Sequence, residues 1–152
     1  MIKPTRRMLL ALEAVVDIAY NHSEEPAQAQ DITKNLGVPL RYLEQVMQKL
    51  VRAGVLKGVR GPRGGYQLAR DRRHTTVGEI VRLLDEAKRP ATALLDREVS
   101  NDIAEHVLRP WWLNTHDMFM RELDGITIDD LCRQAQMKNI ATRTGRPVQF
   151  DI

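Results

Sequence analysis

The spacing of residues 29–54 constrains this chain most, because a short amphipathic stretch, a glycine turn and a longer amphipathic stretch follow one another directly. Ala29 to Leu36 reads as a helix closed by Gly37, a residue that takes the left-handed C-terminal conformation without steric cost. Pro39 sits where a first helical turn tolerates proline. Leu40, Leu43, Val46, Met47, Leu50 and Val51 then mark one apolar face of a further helix, ended by Gly54. Opposite them lie Arg41, Glu44, Gln45, Gln48 and Arg52. A short helix, a turn and a longer helix with a polar outer face form the helix-turn-helix arrangement, whose second helix can enter a major groove.

The flanking sequence extends this unit. Leu9, Leu12, Val15, Val16 and Ala19 recur at helical spacing over Thr5 to Tyr20, with Glu13 and Asp17 on the other face, and His22 to Pro26 reads as a loop. Val55 to Val59, a Gly- and Pro-bearing turn at Arg60 to Gly65, and Tyr66 to Leu68 predict a two-stranded hairpin, or wing. Thr76 and Glu79 resemble a capping box ahead of a helix over about Val77 to Glu86, and Pro90 breaks the pattern between Lys88 and Ala93. Leu95, Val99, Ile103 and Val107 then share a face, and Trp111, Met118 and Leu123 continue it beyond Pro110, which either kinks one helix or starts another. Thr127 with Asp130 opens a last helix through about Ala135, and Met137 to Ile152 reads as a loose tail in which Val148 to Ile152 can pack locally. The fold class expected is mainly α: a winged helix-turn-helix with a two-stranded wing plus C-terminal dimerisation helices. Residues 1–87 form the DNA-binding domain, 88–136 the dimerisation helices and 137–152 the tail.

Charge distribution points the same way. Residues 1–75 carry 13 Lys and Arg against 7 Asp and Glu, whereas residues 76–152 carry 10 against 13. A basic N-terminal half suits a polyanion. Arginine pairs bidentately with guanine and glutamine with adenine, so Arg41 and Gln45 suit base edges; Glu44 can accept from a cytosine amino group. Gln48 and Arg52 lie where base or phosphate contact is available. Arg60 and Arg63 sit on a turn whose glycines remove bulk, which suits a narrow minor groove.

Other classes find little support. No apolar run reaches the roughly 18 to 20 residues that span a bilayer, and Met1 to Arg7 does not read as a signal peptide, so no membrane partner and a cytoplasmic location are expected. Cys132 is the sole cysteine, which excludes an intramolecular disulfide and a thiolate-built metal site within one chain. Neither a metal nor a cofactor is expected. His106 and His116 flank Trp111 and Trp112, but read as surface or core residues rather than ligands. The tryptophans read as packing in a dimer or core, together with Val99, Ile103, Val107, Met118 and Leu123. Gly61 to Gly65 lacks the Lys-Ser/Thr end of a nucleotide loop, and no nucleophile and base stand at useful spacing, so the chain does not read as an enzyme.

From about Thr5 to Glu86 the sequence resembles the Rrf-two family of winged-helix regulators, which includes the IscR, NsrR and CymR types. The resemblance rests on Asp31-Ile32 before Gly37-Val38, Tyr42-Leu43-Glu44-Gln45, Leu50 with Ala53-Gly54, Arg60-Gly61, Gly64-Gly65-Tyr66 with Leu68-Ala69-Arg70, and Val77-Gly78-Glu79-Ile80-Val81. Ile126-Thr127-Ile128-Asp129-Asp130-Leu131 extends it beyond the long helix. It implies a homodimer with crossed long helices on a partly palindromic operator in double-stranded DNA. It also implies contacts from Arg41, Tyr42 and Gln45 in the recognition helix and from Arg60 and Arg63 in the wing. Two departures stand out. Met8-Leu9 replaces the family's aromatic-alanine pair, and Glu86 to Leu108 contains none of the three cysteines that hold a cluster in iron-sulfur members. A protein-binding adaptor of the same fold, with weak or no specific DNA binding, is the alternative: the missing cysteines and the acidic C-terminal half leave the signal input without an internal cofactor, and the resemblance to the CymR branch implies signalling through a regulatory partner protein.

Overall fold

The computed structural model describes residues 4–21, 24–85, 101–143 and 145. Helices α1 (Arg6–Asn21), α2 (Ala29–Leu36) and α3 (Leu40–Arg52) come first, followed by strands β1 (Leu56–Val59) and β2 (Gly65–Leu68). A 3-10 turn at Arg72–His74 leads to α4 (Val77–Leu84). A π-helical turn at Ala104–Leu108 then runs into α5 (Arg109–Asp124), and α6 (Ile128–Met137) follows. The architecture is mainly α with a two-stranded antiparallel wing, as expected. The proposed break at Lys88 to Ala93, Leu95, Val99 and Val148 to Ile152 lie outside the described residues.

α1 is the central element. Its buried face is Leu10, Ala11, Ala14, Val15, Ile18 and Ala19, and α2, α3, α4, α6 and β2 all pack around it. This differs from the sequence expectation by a fraction of a turn: Leu9 is exposed, while Leu12 and Val16 are only partly buried. Small residues decide the orientation, since Ala11 and Ala14 let neighbouring helices come close where larger side chains would hold them off. Ile32, Leu43, Met47, Leu50, Ile80 and Leu84 complete the same core. Leu40, counted with that face on spacing alone, is exposed at the first turn of α3.

α6 belongs to this core as well. Ile128 and Cys132 are fully buried in it, so the last helix closes the N-terminal body although the sequence grouped it with the dimerisation segment. Two caps stand side by side to bring this about. Val77 N–H donates to the Ile126 carbonyl at 2.8 Å and Ile128 N–H to the Thr75 carbonyl at 2.9 Å, joining the starts of α4 and α6. Thr127 and Asp130 make a full capping box. Thr76 caps Glu79 N–H, but the Glu79 carboxylate turns to Arg70, leaving that box half formed. Buried Asp129 accepts from Arg72 Nε and Arg133 Nε, both at 2.7 Å, and Arg72 also reaches the Ala19 carbonyl.

Pro110 does not start a separate helix. Residues 102–124 are helical throughout, and the backbone widens to π register just ahead of the proline, where Arg109 N–H donates to the Ala104 carbonyl. Proline offers no N–H to the fourth residue back and its ring crowds that carbonyl; a π turn makes the room. The far end of α5 packs on α4, where Gly78 meets Asp124 and Arg82 grips both Asp124 oxygens at 2.6 Å. That guanidinium holds the Asp124 carboxyl below its usual range. The start of the expected loose tail is tied down too, for Tyr20 Oη donates to the Ile140 carbonyl at 2.5 Å and Arg143 N–H to Asn21 Oδ1 at 2.9 Å.

Two expectations follow. A methyl group at Gly78 would lie 2.1 Å from Asp124 Oδ1 and 3.0 Å from Asp124 N, so Gly78→Ala should lower stability by about 1–3 kcal/mol, read as a reduced urea midpoint; an unchanged midpoint would show that the contact yields freely. Burial pushes the Cys132 thiol up to about 11, so Ellman's reagent should leave it unmodified at pH 8 until the protein unfolds. Because the folded thiol holds its proton more tightly than the unfolded one, this group's contribution to stability is full below pH 9 and declines as pH rises towards 11.

Candidate nucleic-acid interface

The turn into α3 forms as its residues dictate. Gly37 adopts φ 62°, a left-handed conformation, and its N–H returns to the Thr33 carbonyl at 2.8 Å. Pro39 precedes α3 in extended conformation and provides no side-chain cap, and no acidic residue lies in the first turn. The positive end of the α3 dipole is therefore left open to an anion. With Leu43, Val46, Met47 and Leu50 held in the core, helical periodicity turns Arg41, Glu44, Gln45, Gln48 and Arg52 outward, and all five are exposed. Arg41 to Arg52 spans roughly 16 Å at 1.5 Å per residue.

Tyr42 differs from the rest of that set. It is half-buried against the core, with the Arg7 guanidinium 5.9 Å from its ring centroid. Such a stack holds the arginine over the ring face. Glu44 faces the wing, where its charge adds to partial burial in raising the Tyr66 phenol above its ordinary pKa. Beside α3 lies a cleft of about 230 Å³ lined by Arg7, Gln45, Gln48, Lys49 and Arg52. Sequence reasoning missed Arg7 and Lys49 as members of this surface. The Arg6-Arg7 pair opening α1 was the available signal, but only the fold reveals that α1 begins beside the outer face of α3.

The wing pairs Leu56 with Leu68 and Val59 with Gly65, and its turn carries Arg60, Pro62 and Arg63 exposed at the tip. Gly61 there has φ 116°, open to glycine and strained for other residues. Gly64 lets the chain fold back on itself, since an added Cβ would stand 2.3 Å from the Val59 carbonyl oxygen. Strand β2 of the wing is anchored by a contact absent from the sequence reading: Ala27 and Tyr66 exchange both backbone hydrogen bonds at 2.8 Å. Gly65 permits it by keeping side-chain bulk off the Ala27 carbonyl. Arg41, Arg52, Arg60 and Arg63 form no ion pair with any described residue.

Apart from Val99, which lies outside the described residues, the residues assigned to dimerisation sit on the helical run of residues 102–124. Ile103 is 66% exposed, Val107 58%, Trp111 59% and Met118 60%, values that leave this stripe without cover from the described residues of its own chain. Trp112 and Leu123 are half-buried, and the two tryptophan rings lie 6.1 Å apart at 53°. His106 is exposed and His116 partly so, and among the described residues no group of three His, Cys, Asp or Glu converges as metal ligands. No described helix is long and apolar enough to cross a membrane.

Residues 5–134 match the protein family described as Rrf2, iron-dependent transcriptional regulator. The HTH-type transcriptional regulator IscR of Pectobacterium atrosepticum is 32% identical over 133 residues, covering 88% of this chain and 80% of that one. Protein rrf2 of Nitratidesulfovibrio vulgaris is 30% identical over 136 residues, covering 90% and 91%. Among solved structures, T. potens IscR superimposes with a TM-score of 0.73 at 28% identity over 93% of each chain. CymR, the global cysteine regulator of B. subtilis, gives 0.71 at 29% identity over 88% of this chain and 98% of its own. These similarities favour the regulator reading over the adaptor and over an enzyme. The donor set does not fit a thiolate-held iron cluster, since the chain's single thiol is enclosed in the core between α1 and α6. With its winged helix, its outward arginines and a family match spanning nearly the whole chain, this protein belongs to the Rrf2 family and is a DNA-binding transcriptional regulator.

Proposed function

We propose that the chain acts as a homodimer on a partly palindromic operator, with α3 in a major groove, the wing at the flanking minor groove, and no iron-sulfur cluster. The observation that carries this reading is the set of exposed arginines on α3 and the wing tip that no carboxylate among the described residues neutralises. Guanidinium groups left in this state are available for phosphates and base edges, and their counterions are released on binding. Arg41, Gln45, Gln48 and Arg52 supply the helix contacts, Arg60 and Arg63 those of the wing, and Tyr42 positions the first turn of α3. Glu44 lies towards the wing, where it can accept from a base amino group or hold the wing in place.

Dimer formation is supported by the stripe along α5. Burial of a large apolar side chain is worth roughly 1.5–3 kcal/mol. Ile103, Val107, Trp111 and Met118 recur at intervals of four, four and seven residues, the spacing of a helical seam. A second copy crossing the first along this seam also sets the spacing of two half-sites.

Selection of genomic fragments followed by a gel shift at several salt concentrations tests the operator. Retention should be sequence-specific and should weaken steeply with salt; retention indifferent to sequence would remove the reading. Replacing Arg60 and Arg63 by alanine should cost about 1–3 kcal/mol for each arginine that reads a base, or flatten the salt dependence by about one unit for each that neutralises a phosphate. Equal affinity and equal slope in the double variant would take the wing out of the interface. Val107→Asp with Trp111→Glu should convert the dimer to a folded monomer, as measured by light scattering on a sizing column. A dimer that survives both changes would place the seam elsewhere.

A further inference from the structure

On the side of the body formed by α1, α6 and residues 140–143, a groove encloses about 570 Å³. This is within the roughly 300–1,000 Å³ typical of small-molecule sites. Leu12, Val16, Leu36, Leu131, Ala135 and Ile140 supply its apolar lining. Residues 140–143 form one wall, fixed by the bonds from Tyr20 Oη to the Ile140 carbonyl and from Arg143 N–H to Asn21 Oδ1.

Three charged side chains line the groove: Glu13, Asp17 and Arg143. Two carboxylates thus face one guanidinium. The Asp17 side chain is only 10% exposed, and its Oδ1 pairs with Arg143 and accepts from Asn21 Nδ2 at 3.0 Å. Its Oδ2 is buried and has no hydrogen-bond partner among the described residues. A buried carboxylate oxygen without a donor is an unfavourable arrangement, relieved by a ligand that brings one. Arg143, by contrast, is 45% exposed and can swing into water.

We propose that this groove binds a small amphipathic monocation, its apolar body on Leu12, Val16, Ala135 and Ile140 and its ammonium taking the place of the Arg143 guanidinium against Asp17. The charge balance selects this class. An anion meets Glu13 and Asp17, and a neutral apolar molecule leaves Asp17 Oδ2 as it is. Leu36 at one end of the groove is the last residue of α2, so the site adjoins the helix-turn-helix without using any residue of α3 or the wing.

Tryptamine and indole-3-propionate share a ring system and differ in the sign of their charge. Titrated into the full chain with 13C-labelled methyl groups, tryptamine should shift the Leu12, Leu131 and Ala135 signals saturably, and indole-3-propionate should bind at least tenfold more weakly. Asp17→Asn should weaken tryptamine at least tenfold and abolish the difference between the probes. Ala135→Trp should block the groove. Should Asp17→Asn fail to fold, Glu13→Gln at an exposed position should still weaken tryptamine several-fold. Equal binding of the two probes, no saturable shift with tryptamine at millimolar concentration, or unchanged binding in the carboxylate variants would overturn the proposal. Gel shifts on the same samples report separately on operator binding.

Discussion

The winged-helix body is organised around one helix face. Ala11, Ala14, Val15 and Ile18 of α1 are completely enclosed, and helices from both ends of the chain meet on them. Close packing of this kind tolerates little change in volume, so the placement of α3 is inherited from α1. Leu43, Val46, Met47 and Leu50 lock onto that face, and the polar half of α3 has nowhere to go but outward. The wing is then held at two points, by the Gly54 turn out of α3 and by the Ala27–Tyr66 bridge along β2.

How much of this was readable in the sequence depends on whether a feature is local. Gly37, Pro39 and Gly54 specify backbone conformations by themselves, so α2 and α3 fall where their spacing places them. The arginines of the wing likewise sit on a turn that its own glycines define. Long-range contacts leave no such mark. Nothing in the spacing of α1 separates Leu9 from Leu10 as the inward residue, because the choice is made by the elements that pack around Ala11 and Ala14. The Ala27 bridge is one residue long, and its enabling feature is the absence of a Cβ at Gly65, some forty residues away. α6 shows the same limit: its capping box is legible, but its place in the N-terminal core depends on the pairing of residues 75–77 with 126–128. Pro110 admitted two readings on chemistry alone, and the π turn lets the helix run on through it.

The candidate interface divides along the same line. Arg41, Gln45, Gln48 and Arg52 were identifiable because one helix carries both the core face and its opposite. Arg7 and Lys49 were not, since their place beside α3 comes from the packing of α1 against α3 and not from any motif. Tyr42 was assigned to the outer face from the family resemblance, and in the structure it also holds the inner side, half-buried beneath Arg7. A residue that bridges core and surface in this way transmits the position of α1 to the first turn of the recognition helix.

Two surfaces remain incomplete within one chain, and they are incomplete in different ways. Among the described residues, Arg41, Arg52, Arg60 and Arg63 of the α3 and wing surface have no ion-pair partner, and the α5 stripe has no apolar cover. Screening by salt weakens the first kind of attraction, while the second is insensitive to moderate salt because it arises from water leaving hydrocarbon. A dimer of the kind proposed would keep its subunits together at salt concentrations that release it from DNA. The join between the two surfaces is the contact of α4 with the end of α5, where Gly78 admits Asp124 and Arg82 clamps it. In the proposed dimer, a change in how two α5 helices cross reaches the winged-helix body, among the described residues, through this glycine-dependent contact and the adjoining pairing of residues 75–77 with 126–128.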